Sequence, residues 1–157
     1  MVSEEIKVFL MALMPILETR MAIPFGIAVA NLPALEVLVV AMIGNVIPAP
    51  PLLWGLSSLE RWALSGDGGV RGFIASLYRK ILHKIRSRGE RYIKRYGLLG
   101  LALFVAIPLP GSGVWTGCAL AHVLGLEPHR ALASIVVGAL AAGLMILAGT
   151  LGLISLI

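Results

Sequence analysis

One cysteine, Cys118, stands in 157 residues, and no glutamine. A single thiol excludes an intramolecular disulfide and a cysteine metal cluster. Its ordinary role is that of a small apolar packing residue. The three histidines, His83, His122 and His129, are scattered without ligand spacing, so neither a metal nor another cofactor is expected. Asparagine occurs twice, at Asn31 and Asn45, in keeping with the low amide content of thermophile proteins. Charge is also scarce. Charged residues make up 13% of the chain, where a soluble domain carries about a quarter. There is no nucleotide-binding loop, no HExxH and no nucleophile elbow, so no soluble-enzyme chemistry is indicated.

What the chain has is hydrocarbon. Hydrophobic residues account for 59%, and the mean hydropathy is +0.95. That composition describes an all-α integral membrane protein. The acidic start, MVSEE, lacks the basic n-region of a secretory signal, so the apolar segments are expected to belong to the mature protein.

Charge divides the single membrane domain into a first apolar part (1–56), a basic linker (57–96) and a second apolar part (97–157). Residues 131–157 carry no charge over 27 positions, enough for one transmembrane helix, which takes about 20. Residues 34–56 form the other clean span, with Pro48, Pro50 and Pro51 expected to break or kink its last third.

The remaining apolar segments are broken. Residues 97–126 run 30 positions without charge around Pro108-Leu109-Pro110-Gly111-Ser112-Gly113. Two prolines and two glycines in six residues exclude regular helix. The flanks, Gly97–Ile107 and Val114–Leu126, are each too short to cross a bilayer. Two short arms around a breaker predict a re-entrant hairpin. Residues 6–32 repeat the form: a short arm Ile6–Met14, a broken, extended tip Pro15–Pro24 that carries Glu18 and Arg20, and a return arm from Phe25. The alternative is four ordinary spans, two of them kinked.

The two halves align as a weak internal repeat. A shift of 93 puts Pro15 on Pro108, and a shift of 94 puts Asn31-Leu32 on Gly125-Leu126 and Gly44 on Gly138. Each half then crosses the membrane once, which makes the expected plan an inverted repeat of re-entrant helical hairpin plus transmembrane helix.

In the linker, residues 71–95 hold nine basic residues and one acid. Val70, Phe73, Ile74, Leu77, Ile81 and Ile85 recur at helical spacing. A basic amphipathic interfacial helix is expected, lying against anionic lipid headgroups on the cytoplasmic side. Nothing else in the chain suggests nucleic acid.

The stretches PILETRMAIPFGIA, IGNVIP and YGLLGLALFVAIPLPGSGVWTGCALAHVLGL resemble the prokaryotic small multidrug export family over nearly the whole chain. That family is distantly similar to the DedA/VTT membrane proteins. The resemblance implies a multi-pass prokaryotic cell-membrane transporter rather than an enzyme, with facing hairpins. It implies as substrate a lipid-like or phosphate-bearing anion such as a polyprenyl phosphate or phospholipid, coupled to protons. DedA proteins place an Arg after the second-tip proline, where this chain has Gly-Ser-Gly-Val-Trp-Thr.

A charged side chain inside a membrane is a functional candidate by default. Glu18 is the proton-coupling candidate. Arg20, with Gly111, Ser112, Gly113, Trp115 and Thr116, is the candidate substrate site, where an anion meets a guanidinium and free backbone N–H groups. Asn45 and His122 are secondary candidates. Membrane lipids are the expected partners, and a homodimer is plausible for so small a chain. The alternatives are a proton-coupled exporter of lipophilic compounds, a membrane scaffold, and a hydrolase like the polyprenyl pyrophosphate phosphatases, whose PG-x-SRS tip is only partly echoed.

Overall fold

The computed structural model describes residues 3–64, 80, 93, 95–109 and 111–156. The fold is all-helical, with no strand among these residues. The basic amphipathic helix expected over 71–95 lies outside the described residues, apart from Lys80, Ile93 and Arg95.

Helix α1 (Glu4–Leu13) opens with two glutamates, which complement the helix dipole. It stops because Pro15 pushes Met14 out of the helical region, to ψ 137°. Helix α2 (Glu18–Pro24) then restarts almost at once. The tip is therefore not extended from Pro15 to Pro24 as expected. The break is confined to residues 14–17, because the N–H of Glu18 bonds the Met14 carbonyl and that of Met21 bonds Leu17. Pro24 cannot donate to the ladder, and the helix widens into a π-helical turn over Phe25–Val29. Asn31, at φ 54°, ends it.

Helix α3 (Ala34–Val46) and helix α4 (Ala49–Leu64) are divided only by a turn at Ile47-Pro48. Bonds from Ile47 N–H to Ile43 and from Leu52 N–H to Pro48 carry the rod through it. Pro50 and Pro51 fall in the first turn of α4, where the missing N–H groups have no partner to lose. Residues 34–56 thus form one 23-residue apolar segment. The helix continues to Leu64, past the expected linker boundary at 57.

The second part follows the expected breaks closely. Helix α5 (Leu98–Ala106) ends before Pro108, helix α6 (Val114–Val123) begins after Gly113, and helix α7 (Pro128–Ile154) has its proline in the first turn. At 27 residues, α7 is about 40 Å long.

Packing ties each short hairpin to a long helix. α1 lies on α3, and α5 lies on α7. The return arms cross over: α2 packs on α7, and α6 packs on α4. Two glycines permit the first pair of contacts. A Cβ on Gly44 would sit 2.6 Å from the Phe9 carbonyl oxygen of α1, and one on Gly138 would overlap the Ala102 carbonyl of α5. The two turns that leave the hairpins also correspond, with Asn31 at φ 54° and Gly125 at φ 64°.

The interior holds two apolar clusters. One joins Val8, Ala12, Ala22, Ile23, Val37 and Ala41 around the first hairpin. The other gathers Ala49, Leu101, Phe104, Val114, Cys118 and Ile135 around the second. The outside is apolar as well. Leu35, Val39, Ile43 and Ile47 recur every fourth residue along α3 and into the turn that follows it, and are 48–73% exposed. Val137, Leu140, Leu144 and Leu151 stand outward on α7. A core helix of a soluble protein buries such a stripe; contiguous exposed hydrocarbon of this extent fits a lipid environment.

Candidate functional site

The two broken tips meet. Helix α6 starts after Gly113, which has no side chain to satisfy the free N–H groups of the first turn. Glu18 supplies that cap from the other hairpin. Its carboxylate accepts hydrogen bonds from the backbone N–H groups of Val114 and Trp115. The approach is so close that a Cβ on Gly113 would overlap the carboxylate. Glu18 is 4% exposed and has φ 47°, a conformation uncommon for any residue but glycine. Charge-assisted bonds to a helix N-terminus offset strain of this kind.

The contact is reciprocal. The Trp115 indole Nε1–H donates to the carbonyl of Leu13 at 3.2 Å, one of the unpaired carbonyls at the end of α1. Each hairpin thus closes a broken helix end of the other.

Arg20 lies at the same junction. Its guanidinium donates to Ser112 Oγ at 3.3 Å and stands 3.9 Å from Glu18 Oε2. At i, i+2 on regular helix these side chains would point apart. The left-handed backbone at Glu18 turns its carboxylate so that both reach the second tip. The Ser112 hydroxyl shares its one proton between the carbonyls of Ile107 (2.6 Å) and Leu109 (2.8 Å), tying off the tip. Gly111, at φ 83°, makes the turn there. Thr116 Oγ1 donates to the Gly113 carbonyl at 3.2 Å, inside the first turn of α6.

The candidate site residues thus come together with two exceptions. His122 stands more than two turns along α6 and is half-buried. Asn45 lies on α3 and is 2% exposed. The backbone donors differ from those expected. They belong to Val114 and Trp115, beyond the Gly111–Gly113 segment, and they are taken up by Glu18. Sequence reasoning also misses Leu13 as the Trp115 partner. One signal for the cap is present: a glycine directly before a helix leaves its first turn uncapped. Nothing in the sequence says which side chain closes it. Among the described residues no group of His, Cys, Asp or Glu is placed to hold a metal ion.

An all-helical chain with two apolar segments of 23 and 27 residues, hydrocarbon on its outer faces and a buried charged junction inside is a membrane protein. Residues 18–145 match the model of the family described as "Putative small multi-drug export protein". The chain belongs to that family. Comparisons with curated proteins and with solved structures find no match.

Proposed function

We propose that this chain is a multi-pass transporter of the prokaryotic cell membrane that moves a phosphate-bearing, lipid-like anion with proton coupling through Glu18. In this reading the hairpins are re-entrant, enter from opposite faces as an inverted repeat of the DedA kind, and meet near the membrane midplane. The basic linker stays cytoplasmic.

One observation carries the proposal: an internal carboxylate already occupies an anion cradle made of helix N–H groups and flanked by a guanidinium. A phosphate headgroup carries the same chemistry and competes for the same donors. When phosphate takes Arg20 and the Val114 and Trp115 N–H groups, Glu18 loses its partners and accepts a proton. When the headgroup leaves, Glu18 releases the proton and recaps α6. Substrate and proton thus bind and leave together at one junction, which couples their movements.

Family membership favours a second reading, export of lipophilic compounds, in which a cationic substrate competes with a proton for Glu18. Arg20 at 3.9 Å already neutralises that carboxylate, which weakens it as a cation site.

Native mass spectrometry separates the two. The purified protein is offered a polyprenyl phosphate and, in parallel, a lipophilic cation, as wild type, Arg20→Ala and Glu18→Gln. The anion reading expects phosphate-lipid adducts in wild type, their loss in Arg20→Ala, and transport whose pH dependence vanishes in Glu18→Gln. Cation adducts that strengthen in Arg20→Ala establish the export reading instead. Binding of neither leaves a structural junction only.

A further inference from the structure

Asn45 has no role in the scheme above, yet its placement is unusual. It is 2% exposed, and its Oδ1 accepts no hydrogen bond; it is the one fully buried side-chain polar atom so situated among the described residues. Such an acceptor costs about 1–3 kcal/mol, so its position matters.

Asn45 lies one turn after Ala41 and one turn before Ala49 on a nearly continuous rod. Residues four apart share a helix face. Ala41 belongs to the apolar cluster of the first hairpin, and Ala49 to that of the second. Asn45 therefore sits at the seam between the clusters. Its position is also the midpoint of the 34–56 segment. The seam leads to the tips: the Ala49 carbonyl is 3.9 Å from Cys118 Sγ, and Cys118 lies one turn along α6 from Val114 and within electrostatic reach of Glu18.

We propose that Asn45 Oδ1 is the acceptor that receives the protonated Glu18 carboxyl when it leaves the N-terminus of α6. Ionised Glu18 only accepts, and it pairs with N–H donors. Protonated Glu18 gains one O–H donor, which needs an acceptor inside the protein. Asn45 offers one that is vacant in the ionised state. No covalent bond changes beyond the O–H formed on Glu18: the proton arrives from water, rides on the carboxyl and returns to water. Asn45 is thus a positioning residue for the proton-loaded state.

Few other titratable groups face this junction. Arg20 flanks Glu18 on α2, and Cys118 and His122 lie on α6. The remaining described ones on packed elements stand toward helix ends: Glu4, Glu5 and Lys7 on α1, Glu36 on α3, Arg61 in the last turn of α4, and Glu127, His129 and Arg130 at the start of α7.

The inference rests on the proton-coupled reading, and one experiment tests each separately. Asn31→Gly leaves Asn45 as the sole asparagine, at a φ of 54° that glycine adopts readily. The full chain in lipid nanodiscs is labelled with side-chain 13C-asparagine and titrated by infrared difference spectroscopy. The expected result has two parts. A protonated-carboxyl band appears on acidification and is lost in Glu18→Gln. The labelled Asn45 C=O band moves to lower frequency with it, and this shift too is lost in Glu18→Gln. A Glu18 band without an Asn45 shift overturns the inference and leaves the carrier reading intact. No Glu18 band at any pH at which the protein stays folded overturns both.

Discussion

At the scale of single residues the junction turns on one missing methyl. Gly113 has φ −93° and ψ −164°, which any residue can adopt. Its requirement is space, since the Glu18 carboxylate lies where a Cβ would be. Gly113→Ala is expected to expel that carboxylate and to destabilise the protein by about 2–4 kcal/mol, from overpacking together with a charge deprived of its cap. In a Glu18→Ala background the collision is gone, and the same change should cost less than about 1 kcal/mol. Thermal unfolding of the four proteins in detergent reads the coupling. Equal losses in both backgrounds would refute the cap. Trp115→Phe removes only the bond to Leu13 and should cost about 1 kcal/mol in the same assay. Glu18 and Arg20 stand out in the sequence because charge in hydrocarbon is conspicuous. Their partners do not, because backbone N–H and C=O groups have no letter in a sequence.

At the scale of elements, breakers read better than what lies between them. Pro108 and Gly113 bound α5 and α6 within one or two residues of expectation, because a proline after a helix and a glycine before one act locally. The first tip is less legible. Pro24 reads as a boundary in the sequence, but it sits inside α2 and is absorbed by a π-helical turn. The three prolines at 48–51 spare the rod because two of them occupy a first turn. Glycines divide in the same way between local and tertiary roles. Gly44 and Gly138 face the carbonyls of α1 and α5, whereas a Cβ added at Gly149 or Gly152 would meet nothing within 4 Å. Gly44→Val and Gly138→Val are expected to lever the short arms off their long helices and to unfold the protein at markedly lower temperature. Gly149→Ala and Gly152→Ala should be neutral or stabilising, by up to about 1 kcal/mol each from helix propensity. A thermal scan that ranked all four alike would contradict this packing.

At the scale of the whole molecule the distribution of hydrocarbon decides what surrounds the protein. Length and apolar content alone do not, since a long core helix of a soluble protein shares them. Exposure separates the cases. Ile43 stands near the middle of the 34–56 segment, on the outward stripe of α3, and is 51% exposed. In a soluble protein an exposed isoleucine can become lysine at a cost within about 0.5 kcal/mol. In a bilayer the same change places an ammonium in hydrocarbon and costs about 2.5–3.5 kcal/mol. Ile43→Lys is therefore expected to reduce membrane insertion severely, while Glu36→Lys, in the first turn of α3 and nearer the headgroups, should insert normally. Carbonate extraction of membranes expressing the two variants measures the difference. Equal, full insertion of both would remove the stripe from the lipid and return α3 to an interface or a soluble core. Loss confined to Ile43→Lys places α3 across the hydrocarbon, and with it Asn45, at the midpoint of the 34–56 segment, inside the membrane.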